Sequence, residues 1–121
     1  MSTRTIVIGI VGPCSAGKTT LINGLKERGF TSSHHIAQEH SFVPNMWQRM
    51  VDPDVLIYLD VSYRESMRRK PLDMTADEFE EQVNRLQHAR QHANLYLLTD
   101  QLSPEQVLAR VIAFLTRDLQ F

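Results

Sequence analysis

The chain has a single cysteine, Cys14, and a single tryptophan, Trp47, among 121 residues. One thiol excludes an internal disulfide, and that usage fits a reducing, cytoplasmic setting. Neither charge dominates: 13 Lys and Arg stand against 14 Asp and Glu, a formal net charge of −1. With a pI near 6.5, no basic surface for nucleic acid is indicated. No stretch reaches about 18 consecutive apolar residues, which excludes a membrane-spanning helix. The apolar run from Ile6 leads into a glycine-rich loop and is expected to be a strand rather than a secretory signal. Repeats, low-complexity tracts and linkers are also missing, so residues 1–121 are expected to form one domain around one core.

What the chain does have is Gly12-Pro13-Cys14-Ser15-Ala16-Gly17-Lys18-Thr19, followed by Thr20. This is G-x-x-x-x-G-K-T in full, the phosphate-binding P-loop pattern. Such a loop folds back so that successive backbone N–H groups aim at phosphate oxygens, and a side chain at either glycine would obstruct the nest. Lys18 reaches the outer phosphates as a point charge. Thr19 offers a hydroxyl to a phosphate-bound Mg²⁺. The context agrees with the pattern. Residues 5–11 are a β-branched apolar run, and Leu21, Ile22 and Leu25 follow at helical spacing, with Gly29 as the expected C-terminal cap. Cys14 sits inside the loop. It is either a small residue at a permissive position or a redox brake, since a thiol beside a lysine and a helix N-terminus is of the reactive kind.

Further along, residues 30–37 are expected to form a second strand. Glu39 follows it, at the end of the strand that faces the ligand crevice in open α/β sheets. It is a candidate for holding Mg²⁺ through water or for touching a substrate hydroxyl, or else a solvated loop acid. Asn45 is expected to cap a short helix with Met46, Trp47, Met50 and Val51, Trp47 either anchoring it to the sheet or walling an acceptor pocket. Residues 55–61 form a second clear buried strand, in which Asp60 either supports Mg²⁺ in the manner of a Walker B carboxylate or simply ends the strand. Ser62 and Glu65 fit a capping box, opening a helix with Arg64, Arg68, Arg69 and Lys70. Arg68 and Arg69 are candidate lid arginines that neutralise charge during phosphoryl transfer; the alternative is a solvated basic face. Thr75 and Glu78 mark a second box, opening a helix expected to run to about Asn94. A short strand over residues 95–99 and a third box at Ser103, with Pro104 at the first helical position, introduce an amphipathic terminal helix. His34, His35, His40, His88 and His92 show no recognised metal spacing and are expected to be ordinary surface or loop histidines.

The alternation implies an α/β fold with a parallel sheet of about four strands flanked by helices in three layers. At residues 12–20, at residues 54–61 with the arginines that trail them, and at residues 97–107, the chain resembles the P-loop small-molecule kinases. That group holds the adenylate, thymidylate and shikimate kinases. The resemblance implies ATP and Mg²⁺ as cofactors and transfer of the γ-phosphoryl group to a small-molecule acceptor. Loop amides 13–19 and Lys18 would hold the phosphates, Thr19 with Glu39 or Asp60 the metal, and Arg68 or Arg69 the developing charge. It also places Thr99, Asp100 and Gln101 near the nucleotide base. Between the second strand and the lid strand, however, only residues 38–54 are available, and a lid must fit between about Arg68 and Met74. The acceptor machinery is therefore reduced, absent or supplied by another subunit. A nucleotide-sensing module without catalysis, or a slow NTPase working with a partner, is the alternative. An uncovered sheet edge would also favour self-association. The Asn-Lys-x-Asp and Asp-x-x-Gly motifs of GTPases and the Leu-Ser-Gly-Gly-Gln signature of transporter ATPases do not occur.

Overall fold

A computed structural model describes residues 5–71 and 74–120. Four strands, β1 (Ile8–Val11), β2 (Ser33–His35), β3 (Val55–Asp60) and β4 (Leu95–Leu98), form one sheet in the order β2-β1-β3-β4. Every neighbouring pair is parallel. Helices α1 (Lys18–Glu27), α2 (Met46–Met50), α3 (Tyr63–Arg69), α4 (Ala76–Arg85), α5 (Gln87–His92) and α6 (Pro104–Ala113) surround it. A 3₁₀ turn covers Gln38–His40, and a π-helical turn over Phe114–Asp118 extends α6.

The continuous apolar runs of β1 and β3 reflect burial on both faces, as in a parallel sheet covered on each side. Ile8, Ile10, Ile57 and Leu59 pack with Leu21 and Leu25 of α1 and Val107 and Val111 of α6. The alternate residues Val11, Leu56 and Tyr58 pack with Trp47 of α2 and with Leu86 and Ala89. Trp47 is buried and donates from Nε1 to His88 Nδ1 at 3.1 Å, which is the anchoring role. Strand β4 stands at one end of the sheet order, with Tyr96 and Leu98 exposed.

Four expectations need correction. The second strand is three residues long rather than eight, because Ser33 turns its hydroxyl back to Phe30 O at 2.7 Å and only Ser33–His35 pair with β1. The helix expected from Thr75 to about Asn94 is two helices. Phe79 and Val83 pack into one core and Leu86 and Ala89 into the other, and one straight helix cannot face both sides of a sheet. The box at Ser62 is half closed: its hydroxyl accepts from Glu65 N at 3.1 Å, while Glu65 turns to Arg68 and Arg69. The boxes at Thr75 and Ser103 close fully. Asn45 precedes α2 without a side-chain cap.

Because the strands run parallel, their C-terminal ends gather at one edge. Residues 12–17 after β1, the 3₁₀ turn after β2, Asp60 at the end of β3 and Thr99 after β4 all belong to that edge.

Candidate functional site

The turn out of β1 requires glycine. A Cβ on Gly12 would lie 2.0 Å from Leu59 O, inside the van der Waals distance of a backbone atom that cannot move aside. Gly17 starts α1 at φ +97, in the left-handed region, with open space where a Cβ would sit. Ser15, also at positive φ (66), completes the bend between them. The loop therefore takes up backbone conformations that its two glycines make accessible.

Lys18, at the first turn of α1, is nearly fully buried. Its ammonium donates to Gly12 O, to Pro13 O at 3.0 Å and to Glu39 Oε2 at 2.7 Å. Glu39 is equally buried, and among the described residues its second oxygen, Oε1, has no partner, nor does the buried Ser15 Oγ in the loop. Unsatisfied buried polar atoms are costly and rare in folded proteins. Two of them at one loop mark a place where a polar ligand or water would be welcome.

Asp60 is used differently. Its Oδ1 accepts from Val61 N at 2.9 Å, and its Oδ2 accepts from Tyr96 OH. Burial and that acceptor push the Tyr96 hydroxyl up to about 12. Tyr96 stacks on Tyr58 with centroids 5.6 Å apart. Of the two carboxylates expected to support a metal, Glu39 is the one brought to Lys18, and Asp60 ends its strand and orients the following turn. Thr19 and Thr20 are exposed on α1.

The two arginines also part company. Arg68 is largely exposed and pairs with Glu65 of its own helix. Together with Arg69 it holds the Glu65 carboxyl down at about 2. Arg69 instead spans the site. It donates to Ser15 O at 3.2 Å, to Thr99 Oγ1 at 2.9 Å and to Thr99 O. Thr99, buried, in turn donates toward Asp60 O at 2.9 Å. Helix α3, the loop and the end of β4 are thus tied at one point. The short lid expected up to Met74 includes Leu72 and Asp73, which lie outside the described residues.

Two residues without a sequence motif complete the loop. Gln82 of α4 accepts from Cys14 N at 3.2 Å and donates to Cys14 Sγ at 3.4 Å. Ser66 of α3 donates to Cys14 O at 3.2 Å. The only sequence signal for Gln82 is its place on the buried stripe of α4 between Phe79 and Leu86, where a polar residue is out of pattern. Gln38, fully buried, similarly ties the 3₁₀ turn to α2 and α4 through Trp47 N at 2.9 Å and Arg85 O at 3.2 Å.

Beside the loop lies a cavity of about 400 Å³. Ser15, Ala16 and Gly17, Thr20 and Leu21 of α1, Glu65, Arg68 and Arg69 of α3, and Thr99, Asp100, Leu102, Ser103, Pro104 and Val107 line it. Thr99 and Asp100, two of the three residues expected near a nucleotide base, line this cavity, and Gln101 is not among its lining residues. Asp100 Oδ1 also accepts from Ser62 N at 2.9 Å. No protein-family model matches the chain, and no curated protein matches it. Among the described residues, no helix is long and apolar enough to cross a membrane.

Proposed function

We propose that the chain is a P-loop protein of the small-molecule-kinase type, which binds ATP with Mg²⁺ and transfers the γ-phosphoryl group to a small acceptor. The observation that carries this reading is the buried Lys18 of a G-x-x-x-x-G-K-T loop, held against Glu39 and bordered by two unpartnered polar atoms, Ser15 Oγ and Glu39 Oε1. Phosphate oxygens replace Gly12 O and Pro13 O as acceptors for the ammonium. Loop amides and the N-terminus of α1 supply further positive potential. The cavity beside the loop takes the base and ribose: Leu21, Leu102, Pro104 and Val107 offer apolar walls, and the arginines of α3 offer planar cations.

The donor set fits Mg²⁺, a hard cation that takes oxygen ligands and keeps several waters. Thr19 and Glu39 would hold it, and bound Mg²⁺ would neutralise charge on the phosphates. Arg69 positions the loop through Ser15 and Thr99, and Arg68, exposed at the cavity and paired with Glu65 of its own helix, is the arginine available to the transferring group. In-line transfer depends mainly on such positioning and charge.

A non-catalytic nucleotide-binding module is the second reading, and one observation favours it. The link from β2 to β3 is used up by the 3₁₀ turn and α2, both pinned to the core through Gln38 and Trp47. ADP release is to be measured with Mg²⁺ and ATP against a panel of nucleosides, nucleotides and small hydroxy acids. Stimulation by one acceptor is the expected result. Bound ATP with no stimulation by any acceptor would overturn the kinase reading and leave the module.

A further inference from the structure

Cys14 and the pair Glu39-His40 leave neighbouring parallel strands at the same edge of the sheet. The fold brings them together although their spacing in the chain matches no metal motif. Cys14 Sγ, a Glu39 carboxylate oxygen and a ring nitrogen of His40 all lie within 4.8 Å of one another. A tetrahedral zinc with ligands at about 2.0–2.3 Å separates them by about 3.3–3.8 Å, so closure needs a contraction of about 1 Å. His40 is exposed and Cys14 half-buried, which leaves their side chains room for that adjustment.

The second observation is the carboxylate itself. Glu39 is 2 % exposed; one oxygen is occupied by Lys18, and the other, Oε1, is buried without a partner among the described residues. Oε1 is therefore the carboxylate oxygen that can take a cation while the ion pair to Lys18 stays in place. Around the thiol, the Gln82 amide already donates to Sγ, the kind of outer hydrogen bond that orients a metal-bound thiolate. His35 Nε2 lies 3.9 Å from Glu39 Oε2, on the side of the carboxylate that Lys18 occupies.

We propose that Cys14, Glu39 and His40 bind one zinc-class divalent cation, with a fourth position open to solvent. One thiolate, one imidazole and one carboxylate select zinc over Mg²⁺ or Ca²⁺, which take oxygen ligands. On binding, a metal–sulfur bond forms and the thiol proton leaves to solvent. The site is distinct from the Mg²⁺ role of Thr19 and Glu39, although the two share one carboxylate.

The test uses the full chain without nucleotide, so its outcome does not depend on whether ATP binds. Zinc chloride is titrated by calorimetry, and Co²⁺ is followed by its thiolate-to-metal charge-transfer absorption. The wild type is expected to take up one metal ion and to show the charge-transfer band. Cys14→Ser removes the band, and Cys14→Ser and His40→Gln each weaken zinc by roughly tenfold or more. His34→Ala leaves it unchanged. Thermal melts by circular dichroism establish that each variant is folded, and His40→Gln, on the surface, carries the test if Cys14→Ser is not. The site is overturned by a wild type without saturable zinc binding. Zinc binding that survives His40→Gln, or that falls only when the stacked His88–His92 pair is altered, overturns it equally.

Discussion

Lys18 Nζ and Glu39 Oε2 lie 2.7 Å apart with both side chains withdrawn from water, so a buried charge pair joins the glycine loop to the turn after β2. Neither partner can be removed alone without leaving the other charge buried. Glu39→Gln is expected to lower unfolding free energy by about 3–5 kcal/mol in urea. The double variant Lys18→Met/Glu39→Gln should lose less than the sum of the two single changes, because it removes both charges together. Additive losses would show that the pair is not coupled.

The glycines of the loop differ in what they tolerate. Gly17→Ala has open space and only its positive φ to overcome, a cost of about 1–2 kcal/mol. Gly12→Ala drives a methyl into Leu59 O and must displace β3 or the loop. Thermal melts should therefore rank Gly12→Ala well below Gly17→Ala. Equal stability of the two would contradict the packing of the loop on β3.

Arg68 and Arg69 adjoin in sequence and separate in role. Arg68→Ala removes an exposed intrahelical pair and should stay within about 0.5 kcal/mol of the wild type. Arg69→Ala cuts the ties to Ser15 and Thr99 and should cost about 1–3 kcal/mol. Paired chemical denaturation curves decide it, and the reverse order would remove Arg69 as the clamp of the loop.

His35 gives the site a pH dependence. Burial, and then the Lys18 charge, lower its pKa from 6.5, so the native state resists a proton that the unfolded chain accepts. Its contribution to stability is full above pH 6.5 and is lost as pH falls through its native pKa. The melting temperature of the wild type should fall more steeply than that of His35→Gln between about pH 7.5 and about pH 5. Parallel curves would exclude His35 as a contributor.

Zinc at Cys14, Glu39 and His40 draws on the loop and on the partner of Lys18. It should raise the apparent Kd for ATP, and His40→Gln should restore the affinity seen without zinc. ATP titrations in the presence and absence of zinc check this, and an unchanged Kd at saturating zinc would show that the two ligands do not compete.

Much of the fold was legible in the chain because its signals are local. Residues 55–60 are apolar at nearly every position, and Thr75 and Ser103 each stand three residues before the side chain that closes their cap. The glycine loop was legible for the same reason. What escaped depends on distant partners. The break at Leu86 arises because the sheet has two faces to cover, which α4 and α5 divide between them. Gln82 and Gln38 are single amides within ordinary-looking segments, and their value comes from loop and helix groups far away in sequence. Glu39 and Asp60 both follow strands that end at the same edge; only the side-chain directions assign one to Lys18 and the other to Tyr96.

The central claim is that this loop holds nucleotide phosphate through Lys18. Titration calorimetry with ATP, with and without Mg²⁺, on the wild type and on folded Lys18→Ala tests it most directly. The account predicts magnesium-dependent binding that weakens by at least about 1.5–3 kcal/mol in the variant, the worth of one charged hydrogen bond. An ATP affinity unchanged in Lys18→Ala, or no binding by the wild type, would contradict it.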